Sequence, residues 1–171
     1  MVDEFLGLAY WREYGLEVIP FRLFNTIGPR QTGRYGMVVP RFVRQALADE
    51  PITVFGDDSQ RRCFCDVRDV ISAILGLSDH PDSPGRVFNI GATEEVSIID
   101  LAERVKMKAD SSSSIKIVPY DEAYAPGFED MQRRVPSIDR INALLGWAPT
   151  RSLDEILDDV VAWERERLSS A

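Results

Sequence analysis

Arginine is the residue type in this sequence whose spacing could do chemistry. The stretch FGDDSQRRCFCDVRD, residues 55–69, ends an apolar run at Phe55 and breaks at Gly56 into a polar turn of Asp57, Asp58, Ser59 and Gln60. It then presents Arg61 and Arg62 just before a second short apolar run. A second pair, Arg133 and Arg134, follows an acidic, irregular segment at 120–132. A guanidinium fork matches phosphate or carboxylate oxygens bidentately, so adjacent arginines at a strand mouth suit capture of a small anion. The alternative is surface pairing of Arg61 and Arg62 with Asp57, Asp58 or Asp66, in which each ion pair contributes only about 0–1 kcal/mol.

Little else in the chain offers reactive chemistry. Cys63 and Cys65 lie two apart on an expected strand, where a period of two points both side chains to one face. That spacing fits neither a CxxC redox pair nor a zinc knuckle, and buried reduced thiols in a cytoplasmic protein are the reading it favours. The single histidine, His80, sits in the turn cluster HPDSPG, so a histidine metal cluster is excluded and no metal is expected. The net charge of −8 argues against nucleic acid or an anionic membrane surface as partner, because a polyanion would be repelled except at a local basic site. No run of 18 apolar residues exists to span a bilayer, and no signal peptide pattern opens the chain.

With 171 residues, 44% of them hydrophobic, the chain can bury a real core. Helical spacing at 1–14 stops at Gly15, and the scarcity of capping residues ahead of that helix points to a missing upstream segment. LEVIPFRLF, 16–24, reads as a buried parallel strand, with Pro20 near its edge or start. The loop 25–36, NTIGPRQTGRYG, has three glycines and two arginines without hydrophobic period, as a functional loop would. A helix is expected at 38–47, a strand at 52–55, and a helix at 66–77 with Val70, Ile71, Ile74 and Leu75 inward. The turn at 80–85, a strand at 86–90 and a tight loop at 91–95 follow.

Ser97 begins an S-x-x-D capping pattern for a helix burying Ile98, Leu101, Ala102 and Val105. A serine linker at 111–114 leads to a strand at 115–119. A short helix at 137–145 closes at Gly146, and a terminal helix at 152–168 turns Leu153, Ile156, Leu157, Val160, Val161 and Trp163 inward. Alternating strands and helices predict an α/β fold. No GxGxxG or GxxGxxG fingerprint and no P-loop follows any of the strands.

Four stretches in unbroken order carry a family resemblance: RLFNTIGPRQTGRYGMVVPRFVRQAL, PITVFGDDSQRRCFCDVRDV, VFNIGATEEVSI and EDMQRRVPSIDRINALLGW. Together they resemble the C-terminal, substrate-binding part of the extended short-chain dehydrogenases that act on nucleotide sugars. That family includes UDP-glucose 4-epimerases, UDP-glucuronate decarboxylases and dTDP-glucose dehydratases. The resemblance implies a Rossmann-type α/β fold, represented here by its last parallel strands and the small substrate-binding domain. Residues 1–30 would be a remnant of the Rossmann domain, and 31–171 the substrate-binding region, with some elements packing back on the missing half.

By resemblance NAD is the cofactor, held mainly by an upstream N-terminal half that carries the family's Tyr-x-x-x-Lys pair, and a nucleotide sugar, most simply a UDP-sugar, is the substrate. A homodimer of the family type is compatible with this. No Tyr-x-x-x-Lys occurs in these residues, so no catalytic residue is assigned and the chain alone is expected to be inactive. Carried over by motif, Asn25 is similar to a diphosphate contact, and the backbone at Leu23 and Phe24 to the segment passing the nicotinamide. Val38, Val39, Pro40 and Phe42 fall where the family packs its base, and Arg62 and Arg134, with Arg133 beside it, match the phosphate-gripping arginines. The decarboxylase and dehydratase branches stay open beside the epimerases. A non-catalytic module that only holds nucleotide sugars is the competing reading of another class.

Overall fold

The computed structural model describes residues 2–33, 37–56, 59–119, 122 and 131–170. In chain order its elements are α1 (Val2–Tyr14), β1 (Phe21–Leu23), β2 (Thr26–Ile27), α2 (Val38–Leu47), β3 (Ile52–Phe55), β4 (Arg61–Arg62), β5 (Cys65–Asp66) and α3 (Val67–Asp79). There follow β6 (Phe88–Ile90), β7 (Val96–Ser97), α4 (Ile98–Lys108), β8 (Ile115–Val118), β9 (Arg133–Arg134), α5 (Asp139–Leu145) and α6 (Leu153–Ser169). The elements divide into two compact units, 1–26 with 63–93 and 135–150, and 27–62 with 94–134 and 151–171. No helix among the described residues is long and apolar enough to cross a membrane.

The first unit is built on β1 and β6, which pair in parallel with Phe21 opposite Phe88 and Leu23 opposite Ile90. Its core gathers Cys65, Val70, Ala73, Leu77, Phe88, Ile90, Ile141 and Trp147. Asp66 caps α3, its carboxylate accepting from the Arg68 backbone at 2.7 Å and from the Arg68 guanidinium at 2.8 and 2.6 Å. Asp69 is buried one turn on and accepts from the Thr150 amide at 3.0 Å and the Thr150 hydroxyl at 2.7 Å, while its carbonyl takes the Trp147 indole N–H at 3.2 Å. These bonds fix the segment that follows α5 onto the start of α3. At Gly85, φ is +75° and a Cβ would lie 2.0 Å from the Trp11 ring, so the turn needs glycine both for its backbone and for α1 to approach.

Two expectations for this unit are corrected. The strand within 16–24 is only Phe21–Leu23, and it is exposed along its length rather than buried. Its apolar composition suits a strand covered on both faces, but here it belongs to a two-stranded sheet, which covers neither. The flanking helix α1 has no buried residue, and Phe5, Leu6, Tyr10 and Tyr14 are exposed with it. On α3 the inward face is Val70, Ala73 and Leu77, while Ile71 and Leu75 are exposed. The Asp69 anchor sets the helix rotation about one residue away from the one that hydropathy favours.

The second unit stacks α2, α4 and α6 in mutual contact, with β3 and β8 paired in parallel from Ile52 opposite Ile115 to Phe55 opposite Val118. Ser97 caps α4, accepting from the Asp100 amide at 3.0 Å, and Ile98, Leu101, Ala102 and Val105 are buried as expected. A capping box of Ser152 and Glu155 opens α6. Its buried stripe runs through Leu153, Ile156, Leu157, Val160 and Val161 to Glu164; Trp163, expected inward, is half-buried. Trp163 instead lies under the Arg30 guanidinium, 5.4 Å from ring centroid to Cζ.

Two outcomes follow for the first unit. Asp69→Ala, which strands Thr150 and removes a buried acceptor, lowers stability by about 1–3 kcal/mol in urea denaturation. Burial, helped by the charges of Asp69 and Asp66, pushes the Cys65 thiol up to about 12. Both cysteines are buried and neither is in a disulfide, so neither reacts with a disulfide reagent at pH 8 until the chain is denatured. Because the folded thiol ionises later than the unfolded one, the stability this group carries is lost as pH rises toward 12.

Candidate functional site

The two arginine pairs meet. β4 is the middle strand of a three-stranded sheet ordered β7, β4, β9. It pairs antiparallel with β7, Arg61 opposite Ser97 and Arg62 opposite Val96, and parallel with β9, Arg61 opposite Arg133 and Arg62 opposite Arg134. Bonds at its start hold the register: Gln60 O accepts from the Ile98 amide at 3.3 Å, and Arg61 N–H donates to Gln132 O at 2.8 Å. Because side chains alternate along a strand, Arg62 and Arg134 share one face of this sheet and Arg61 and Arg133 the other. Residues in remote parts of the sequence thus become lateral neighbours of like charge.

The two faces are treated differently. On one, Glu95 takes both fork nitrogens of Arg133, at 2.8 and 2.6 Å. Those bonds hold its carboxyl below the ordinary carboxylate value, with the charges of Arg133 and Arg61 adding to the effect against a contribution from burial. On the other, Arg62 donates one guanidinium nitrogen to Arg61 O at 2.9 Å and Gln132 O at 3.2 Å, which braces the side chain against its own strand and against the approach to β9. Of the surface partners considered for Arg61 and Arg62, Asp66 is held by Arg68, and Asp57 and Asp58 lie outside the described residues. The acidic segment 120–132 also lies largely outside them.

The other singled-out residues fall as follows. Asn25, in the first unit, donates a side-chain N–H to Cys63 O at 2.8 Å, and its backbone carbonyl accepts from Cys65 N–H at 3.0 Å, so it clasps the strand leading to β5. Val39, Pro40 and Phe42 are buried in α2, and Val38 is half-buried at its first turn. Leu23 is exposed on β1, and the Phe24 amide donates to Ile90 O at 3.0 Å. Gly91 permits that approach, since a Cβ there would stand 2.8 Å from Phe24. His80 Nδ1 accepts from the Asp82 amide at 3.1 Å within its turn. Among the described residues no cluster of His, Cys, Asp or Glu could hold a metal ion.

Sequence reading missed Arg41. Its guanidinium lies 4.2 Å from the Phe55 ring centroid and 5.3 Å from that of Phe42, and it donates to Thr53 Oγ1 at 3.3 Å, where Gln45 also binds. An arginine at the first turn of an amphipathic helix gives no signal of an aromatic partner on a later strand. For a dinucleotide the fit is poor: the Phe24 N–H is already spent on Ile90, and no glycine fingerprint is present. Among the described residues no NAD cradle is formed.

The model of the NAD dependent epimerase/dehydratase family matches residues 4–91. A UDP-N-acetyl-alpha-D-glucosaminuronate decarboxylase of Bacillus cytotoxicus is 36% identical over 166 residues, which are 96% of this chain and 51% of the relative. UDP-glucuronic acid decarboxylase 1 of Danio rerio is 36% identical over 95% of this chain and 37% of its own length. The chain therefore spans about half, or less, of the relatives it matches. Among solved structures, a UDP-glucose 4-epimerase with UDP-glucose from Thermotoga maritima superposes with a TM-score of 0.86 at 30% identity, over 98% of this chain and 52% of that one. A UDP-glucuronic acid 4-epimerase from Bacillus cereus, in complex with UDP-glucuronic acid and NAD, gives 0.83 at 27%, over 96% and 50%. The fold is the α/β fold of the Rossmann-type extended short-chain dehydrogenases. On the match across residues 4–91, about half of the chain, the chain belongs to the NAD dependent epimerase/dehydratase family.

Proposed function

We propose that this chain is the nucleotide-sugar-binding part of an NAD-dependent epimerase or dehydratase, with a UDP-sugar as ligand and UDP-glucose 4-epimerase as the nearest type of activity. The observation that carries the reading is the register that sets Arg62 beside Arg134. The register places two guanidinium groups side by side on one face of a short sheet, and a diphosphate supplies two charges with oxygens that match both forks. Glu95 engages Arg133 on the opposite face, and the register gives the diphosphate role to Arg62 and Arg134. Val38, half-buried at the start of α2 above the buried Val39, Pro40 and Phe42, is the side chain offered to a flat base.

Within this proposal the residues in hand bind and orient; they do not transfer protons or hydride. A decarboxylase is the second reading, supported by the relatives of Bacillus cytotoxicus and Danio rerio, whose names carry that activity. A module that binds nucleotide sugars without chemistry is compatible with the same arginines.

Arg62→Ala or Arg134→Ala weakens UDP binding by about 10-fold to 150-fold, the loss of one charged hydrogen-bonding group. Lysine restores part of it, because it keeps the charge and loses the fork. Calorimetry with UDP, on the chain and on its fusion to the remaining half of a family subunit, reads both. Affinities within a factor of two of the parent, in folded protein, return the arginines to a surface role. The 171-residue chain alone does not epimerise or decarboxylate a UDP-sugar, since general acid–base work needs a group within about 2.6–3.2 Å of the moving proton and no Tyr-x-x-x-Lys is present. Turnover with added NAD at the rate of a full-length relative would refute this.

A further inference from the structure

A cleft of about 470 Å³ in the second unit shares no residue with the arginine ladder. Arg30, Arg44 and Arg167 line it, with Trp163, Glu164 and Gly33 between them. Three guanidinium groups against one carboxylate make it locally positive in a chain whose net charge is −8. Such a concentration focuses small anions that the rest of the surface repels.

Three details indicate that the cleft is built. Glu164 is 6% exposed and ends the apolar stripe of α6, a place where an apolar residue would be the ordinary choice. It accepts from the Arg167 guanidinium at 3.0 and 2.8 Å, so Arg167 is held at the cleft wall. Arg44 is oriented by its bond to Pro40 O at 3.1 Å, and its guanidinium lies directly over Gly33, which has no side chain to displace it. Arg30 sits at φ +69°, a left-handed conformation that a long, non-glycine side chain seldom adopts, and its guanidinium rests over the Trp163 ring. Strained backbone of this kind concentrates at ligand clamps.

We propose that this cleft is an anion site for a small phosphate or pyrophosphate ester, separate from the diphosphate clamp assigned to Arg62 and Arg134. One guanidinium is already matched by Glu164, which leaves Arg30 and Arg44 to take a doubly charged group. The compact volume and the acidic surroundings fit a metabolite rather than a polyanion.

The test is a titration of the chain with inorganic pyrophosphate, followed by the indole N–H resonance of Trp163, assigned with Trp163→Phe. The signal is expected to move and saturate. Arg44→Gln and Arg30→Gln each weaken the apparent affinity by about tenfold or more, the loss of a charged hydrogen-bonding group. Arg44→Lys, which keeps the charge, weakens it less and serves if the glutamine variant does not fold. Arg62→Ala with Arg134→Ala leaves the Trp163 response unchanged, whatever it does to UDP binding. The proposal is overturned by a Trp163 signal that stays still or drifts without saturation. Indifference to both glutamine substitutions, or loss of the response in the Arg62 and Arg134 variant, overturns it equally.

Discussion

The parallel bridge between β4 and β9 is the constraint on which the candidate site depends. It is two residues long, and it forces Arg61 against Arg133 and Arg62 against Arg134. A ladder this short gains little from its own hydrogen bonds, and like charges directly opposite work against it. Its position follows from its neighbours: Ser97, opposite Arg61 on β7, is also the cap of α4, so the register is tied to a helix whose buried face sits in the core. Glu95, immediately before β7, offsets the repulsion on the face of Arg61 and Arg133. The adjacency of Arg62 and Arg134 on the other face is what makes it a candidate for an external anion.

Helix ends marked by a local capping residue were legible in the sequence. Ser97 with Asp100 and the buried face of α4, and Gly146 closing α5 with φ +65°, appear where the residue pattern puts them. Both are local signals, complete within a few residues. The failures involve partners remote in the chain. The rotation of α3 is set by Asp69 on Thr150, and the exposure of β1 by what stands beside it rather than by its composition. At the site, each arginine pair was legible as a pair. That the pairs adjoin was not, because two-residue strands carry no hydrophobic period and Arg62 meets Gln132 across 70 residues.

The first unit presents apolar side chains of α1 and β1 outward, in a chain that spans about half of its relatives. A short parallel strand with one open edge is an adhesive surface. The bidentate pairing of Arg22 with Glu4, at 2.9 and 2.7 Å, ties α1 to β1 and keeps the two in one exposed layer. In the reading proposed above, that layer is where the remaining half of the subunit would pack, and it would supply the second neighbour that the composition of LEVIPFRLF calls for.

The way the two units share the chain has a consequence for synthesis. Each is assembled from three separated segments, and the first is complete only when residues 135–150 have joined residues 1–26. Ile141 and Trp147, both in its core, are therefore among the last pieces available. At about 5–20 residues per second on a ribosome, β1 waits on the order of ten seconds for them. During that interval the nascent chain exposes Phe88 and Ile90 with their core unfinished, so its risk of wrong association is set by the order in which segments emerge rather than by the stability of the finished fold.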